Sequence, residues 1–116
     1  MMKKKHLLIT LKKNGEGEML RYADVLEEGI RGIMTTMGMD VKGVLSHQFL
    51  PWGATTIFLL SESHCSAHTF WEEDEVCIDL FCCRDFDVTK AVDLFKAAFG
   101  ARFVEARLVD RAEKSS

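Results

Sequence analysis

The sequence predicts an α+β fold, a two-layer sandwich in which an antiparallel sheet carries two helices on one face. Three observations lead there. Short segments rich in β-branched and aromatic residues recur along the chain, two longer segments repeat their apolar residues with the helical period, and strand-like segments follow one another directly in the middle. The 116 residues suit one domain, 1–116, built on a single core.

The first strand, 6–13 (HLLITLKK), has a β-branched centre and runs into NGEGE, whose glycines mark a turn. Over 19–37, Leu20, Ala23, Val25, Leu26, Ile30, Ile33, Met34 and Met37 keep helical spacing. Gly29 and Gly32 each weaken that helix by about 1 kcal/mol relative to alanine, and Gly38 caps its end. Residues 40–52 are extended in character and stop in a turn at Pro51 and Gly53. The segment 54–63 (ATTIFLLSES) is the next strand, and the two pair as a hairpin. EEDE at 72–75 is a charged turn before VCIDLFCC (76–83), the third strand of this run. Ala91, Val92, Leu94, Phe95, Ala98 and Phe99 mark a second helix over 88–99, closed by Gly100, and ARFVEARLV (101–109) is a last strand. The expected order is β-α-β-β-β-α-β.

Net charge is −3, with 15 basic and 18 acidic residues mixed along the chain, so no large field draws in nucleic acid or an anionic membrane. KKK at 3–5 followed by HLLITL has the outline of an export signal but is too short and lacks a small-residue cleavage site. No stretch approaches the roughly 18 apolar residues of a membrane span. A cytoplasmic protein is expected, with Cys65, Cys77, Cys82 and Cys83 reduced.

SESHCSAH (61–68) concentrates polar chemistry, and the residues alone leave three readings open. His64 and His68 are four apart and could join Cys65, Cys82 and Cys83 on zinc. There is no CxxC pair, however, and the segment follows a strand, so no metal is expected. The histidines could instead be ordinary polar residues at a strand end. Or Ser63 could attack the carbonyl that precedes it, if the bond is strained and a base such as His68, five residues on, takes the proton.

FLPWG (49–53), SESHCSAHTFWE (61–72) and IDLFCC (78–83) together resemble the prokaryotic S-adenosylmethionine decarboxylase proenzyme family, which carries F-x-P-x-G, S-E-S-H-x-x-x-H-T and D-x-F-x-C in that order. The resemblance implies that the chain cuts itself between Glu62 and Ser63, into a β chain of 1–62 and an α chain of 63–116. Ser63 then becomes an N-terminal pyruvoyl group, the cofactor, which forms a Schiff base with the substrate amine and takes up electrons as CO2 leaves. By the same likeness His68 assists processing together with the hydroxyl of Thr55, and Cys83 returns a proton to the decarboxylated carbon. Cys82 is a packing neighbour, because adjacent strand residues face opposite ways. Phe49 matches an aromatic residue that stacks on adenine, and Glu72 a carboxylate that holds the ribose hydroxyls.

The family forms a two-layer sandwich, and its bacterial type is a homodimer of processed αβ units whose active sites draw on both protomers. The leading expectation is therefore a decarboxylase of S-adenosylmethionine that supplies the aminopropyl donor for spermidine synthesis. Some positions depart from the usual pattern: Trp71 stands for proline, Phe70 for tryptophan, EDEV for a glycine-containing turn and Arg84 for glycine. These surround the substrate pocket, so a pyruvoyl-dependent decarboxylase of arginine or ornithine is the second reading. A non-catalytic metal-binding or regulatory module, with an inert S-E-S, is the third.

Overall fold

A computed structural model describes residues 4–12 and 17–111. Among the described residues, six strands form one antiparallel sheet in the order β2-β3-β4-β5-β1-β6, with the helices packed on a single face. The strands are β1 (Lys5–Lys12), β2 (Val41–Gln48), β3 (Ala54–Leu60), β4 (His64–Phe70), β5 (Glu75–Cys82) and β6 (Phe103–Asp110). The helices are α1 (Glu18–Arg21), α2 (Ala23–Thr36) and α3 (Val88–Phe99), and a single 3-10 turn spans Trp71–Glu73. This is the expected α+β sandwich with one more strand than the expected order holds. The glycine turn expected after β1 lies mostly outside the described residues.

The extra strand is β4. Its period-two alternation buries Cys65, Ala67 and Thr69 toward the helices and turns His64, Ser66 and His68 the other way. The same alternation in β1, β3 and β5 sends Leu7, Ile9, Leu11, Phe58, Val76, Ile78 and Leu80 into the core, where Leu26, Ile30, Met34, Phe95 and Phe99 meet them. Phe58 is fully buried beneath α2. Phe58→Ala removes a large aromatic from a site that cannot collapse around the loss, so unfolding in urea is expected to be easier by about 3–5 kcal/mol, with the m-value unchanged.

The first helix of the expected order is split. Tyr22 takes an extended conformation, φ −115°, between α1 and α2. The Gln48 side chain then caps α2 from β2: its Oε1 accepts from the Ala23 N–H at 2.6 Å, while its Nε2 donates to the carbonyls of Arg21, Phe49 and Gly53. One amide thus fixes the start of α2 against the 49–53 loop. Helix α3 follows the expected bounds, with the Asp87 carboxylate accepting from the Lys90 N–H at its start and Gly100, φ 62°, at its end. Gly38, φ 74°, ends α2 in the same left-handed way.

The face of the sheet away from the helices is open. All four histidines of the chain, His6, His47, His64 and His68, lie on it by strand alternation, as do Leu8, Leu45, Ile57, Leu59 and Phe70. Leu45 and Leu59 are 74% and 59% exposed. An apolar area of this kind on a small domain is a candidate contact surface.

Candidate active site

The hairpin from β3 to β4 turns through Ser61, Glu62 and Ser63. Asp40 anchors it: the Asp40 carboxylate accepts from Ser61 Oγ at 2.9 Å, and its backbone carbonyl accepts from the Ser61 N–H at 3.1 Å. Hydrogen bonds from Lys42 and then Ser61 hold the Asp40 carboxyl below its usual range. The Ser63 carbonyl accepts from the Leu60 N–H at 2.9 Å, which closes the turn and leaves Glu62 exposed at its tip.

Ser63 is half-buried, and its Oγ accepts from the Cys83 N–H at 3.3 Å. Two of the residues expected to act together, Ser63 and Cys83, are thereby adjacent, at one end of β4 and β5. Cys82 points the opposite way and is buried beneath the helices, as alternation requires.

A second group gathers at the other end of β4. Thr55 and His68 are directly opposed in the β3–β4 ladder, and Thr55 Oγ1 lies 2.7 Å from His68 Nδ1. The Phe49 ring centroid is 5.9 Å from that of His68, and the Phe70 centroid is 4.9 Å from it. A hollow of about 270 Å³ opens here, lined by Phe49, Trp52, His68, Phe70, Trp71 and Glu72. Gly53, φ 115°, shapes its wall: a Cβ there would stand 3.6 Å from the Trp71 ring and 3.8 Å from Phe49, in a conformation that side chains disfavour. Thr69 ties this end to α1 by donating to the Leu20 carbonyl at 3.0 Å while accepting from the Ala54 N–H at 2.9 Å. Phe70, which the resemblance sets beside the substrate pocket in place of a tryptophan, faces the same hollow as Phe49.

The structure corrects one part of the sequence reading. A base five residues beyond Ser63 can serve it only if the chain folds back after Ser63, but the segment from His64 is a strand. Five strand residues at about 3.3 Å each set His68 roughly 16 Å from Ser63 within one chain. Ser63 with Cys83, and Thr55 with His68, are two separate groups at opposite ends of β4.

The zinc set weighed from sequence does not assemble either. Cys65 and Cys82 are buried on the helix face, whereas His64 and His68 lie on the open face. Burial first, and the charge of Asp79 second, push the Cys65 thiol up to about 12. Such a group carries no penalty below the pH at which an unfolded thiol ionises and loses stability above it, because only the unfolded chain then releases its proton. Stability is expected to fall as pH rises from about 9 toward 12, and Cys65→Ala should flatten that fall in denaturant titrations taken across the range.

All four cysteines are free, and among the described residues no helix is long and apolar enough to cross a membrane.

A family model for S-adenosylmethionine decarboxylase matches residues 5–112. The chain belongs to that family. An S-adenosylmethionine decarboxylase proenzyme of Symbiobacterium thermophilum is 38% identical over 95 residues, which are 81% of this chain and 72% of the relative. One from Thermotoga maritima is 33% identical over 88 residues, 75% of this chain and 68% of the relative. The crystal structure of the adenosylmethionine decarboxylase from Aquifex aeolicus shares the fold, with a TM-score of 0.85 over 99% of this chain and 97% of that one at 22% identity. As a member of the S-adenosylmethionine decarboxylase family the chain is a carboxy-lyase.

Proposed function

We propose that this member of the S-adenosylmethionine decarboxylase family cuts itself between Glu62 and Ser63, gains a pyruvoyl group from Ser63, and decarboxylates S-adenosylmethionine as a cytoplasmic homodimer. Its product is the aminopropyl donor for spermidine synthesis. The observation that carries this reading is the pair of half-sites: a nucleophile bound by the Cys83 N–H at one end of β4, and a hydroxyl–imidazole pair whose imidazole lines an aromatic hollow at the other.

Cleavage needs only the chain's own atoms. Ser63 Oγ attacks the Glu62 carbonyl carbon, the C–N bond breaks, and the hydroxyl proton ends on the freed amine, leaving an ester. Loss of the Ser63 Cα proton then expels Glu62 as a carboxylate, and water replaces the nitrogen of the resulting enamine as ammonia leaves. The Cys83 N–H donates to Ser63 Oγ and the Leu60 N–H donates to the Ser63 carbonyl, so the residue that becomes the pyruvoyl group is held on both sides and the surroundings suit the group. Once formed, the pyruvoyl group supplies the electrophile and electron sink that decarboxylation of an amino acid requires.

The remaining roles belong to side chains. The thiol of Cys83, on the residue whose N–H binds Ser63 Oγ, hands a proton to the carbon that CO2 leaves. Phe49 and Phe70 offer flat apolar surfaces suited to a purine, and Glu72 offers acceptors for ribose hydroxyls at the rim. His68, oriented by Thr55, moves protons. Since one chain separates His68 from its own Ser63, a second copy laid on the open face completes each site, and the exposed Leu45, Ile57 and Leu59 give that contact its apolar drive.

The test is carbon dioxide release from S-adenosylmethionine, arginine and ornithine measured in parallel on the cleaved protein. Release from S-adenosylmethionine is expected; release from arginine or ornithine alone would transfer the chemistry to the other substrate.

A further inference from the structure

We propose that His6, His64 and Asp79 bind one divalent transition-metal ion of the zinc class, and that the ion ties together the two fragments produced by cleavage. The second half of this statement rests on the cleavage reading above; the first does not.

The three residues come from adjacent strands, β1, β5 and β4. In the ladders His6 and His64 both oppose Phe81, one from each side, and Asp79 follows two residues along the same face of β5. One ligand atom from each residue lies within 4.8 Å of the other two. His6 Nε2 already meets Asp79 Oδ1, and the two imidazole rings are 6.3 Å apart between centroids. Phe81 buttresses both rings, stacked on His64 and edge-on to His6, each at 5.6 Å. All three ligands are half-buried, dry enough to strengthen an ionic bond and open enough to admit an ion.

The donor set selects the ion. Two imidazole nitrogens and one carboxylate oxygen suit zinc, cobalt or nickel, whereas magnesium and calcium prefer oxygen alone. Three protein ligands leave the fourth tetrahedral position free, toward the open face. The carboxylate removes one charge of the ion, and neither imidazole needs to lose a proton beyond its neutral form.

The position gives the site its consequence. His6 belongs to 1–62, whereas His64 and Asp79 belong to 63–116, so cleavage at Glu62–Ser63 divides the ligands between two fragments held only by non-covalent contacts. An ion bound by all three spans the cut, next to the new terminus.

Cobalt(II) is the probe, supplied during expression and again to chelator-stripped protein so that a covering partner copy does not prevent loading. One cobalt per chain, with the visible d–d bands of a four-coordinate ion and displacement by zinc, is expected. His6→Ala and His64→Ala should each weaken binding by at least about tenfold, while His47→Ala, the histidine of β2, leaves it unchanged. Absence of saturable binding, or unaltered binding in His6→Ala, overturns the site. If His6→Ala does not fold by circular dichroism, the near-isosteric Asp79→Asn decides in its place. For the tie, zinc should raise the urea concentration at which the cut fragments separate, and His6→Ala should abolish that rise; binding without the rise overturns the tie alone. Ser63→Ala, uncut, should bind cobalt as the parent does, so a parent chain that binds cobalt but is never cut refutes the cleavage reading and not the site.

Discussion

Replacing Ser63 by alanine is expected to leave the 116-residue chain whole and without decarboxylase activity, whereas the parent chain separates into fragments 1–62 and 63–116 on mass spectrometry. Alanine removes the only atom that can attack the Glu62 carbonyl from that residue, so the loss is complete rather than partial. The fold should survive. Ser63 Oγ accepts one hydrogen bond, from the Cys83 N–H, at a half-buried position, and giving it up costs about 1 kcal/mol. Ser61 is the control. It supplies a hydroxyl two residues away that is engaged with Asp40, so Ser61→Ala should loosen the turn yet still be cut at the same bond. Cleavage in Ser63→Ala together with an intact Ser61→Ala chain would move the nucleophile to Ser61 and refute the assignment.

The elements that sequence reading found most directly are those whose signals are local. Helix α3 announces itself by apolar period and by Gly100 after it, and both do in the structure what their chemistry suggests, while the structure adds Asp87 as the cap at its start. Strand β4 escaped because its signal is carried by small and polar residues. Its buried positions are Cys65, Ala67 and Thr69, and its open positions His64, Ser66 and His68, so a period-two pattern was present but no β-branched apolar run marked it. The same oversight hid the split site, since a turn would allow His68 to fold back on Ser63 and a strand does not. The break at Tyr22 was hidden for a different reason: the apolar period passes through it unbroken, and what stabilises the restart of α2 is Gln48, 25 positions from the Ala23 it caps. The gathering of His6 with Asp79 is likewise invisible before the sheet order is known, because β1 sits between β5 and β6 only through long-range pairing. Family motifs could mark which residues matter, but only the sheet assigns them to opposite ends.

Two variants, each inactive alone, are expected to rescue one another. In Ser63→Ala the half-site of Thr55 and His68 is intact; in His68→Ala the half-site of Ser63 and Cys83 is intact. If a site is built from Ser63 of one copy and His68 of another, a dimer containing both variants has one complete site and one that lacks both groups. Random pairing makes about half of the dimers mixed, so co-expression should restore about a quarter of the parental cleavage and carbon dioxide release. If instead each chain folded His68 back onto its own Ser63, no pairing of these variants would hold a complete site, and co-expression would give no more than the sum of the two alone. The geometry decides between these outcomes. Thr55 and His68 are locked in ladder register with one another and sit roughly 16 Å along the strand from Ser63, a separation set by about 3.3 Å per residue that no rotamer change can close. Rescue also requires that the open face be the contact. Ile57→Lys, which places a charge among Leu45 and Leu59 on that face with its side chain directed away from the core, should abolish rescue and convert the protein to monomers on size-exclusion chromatography while its own circular dichroism stays that of the parent. Full rescue in the presence of Ile57→Lys in both chains would place the contact elsewhere.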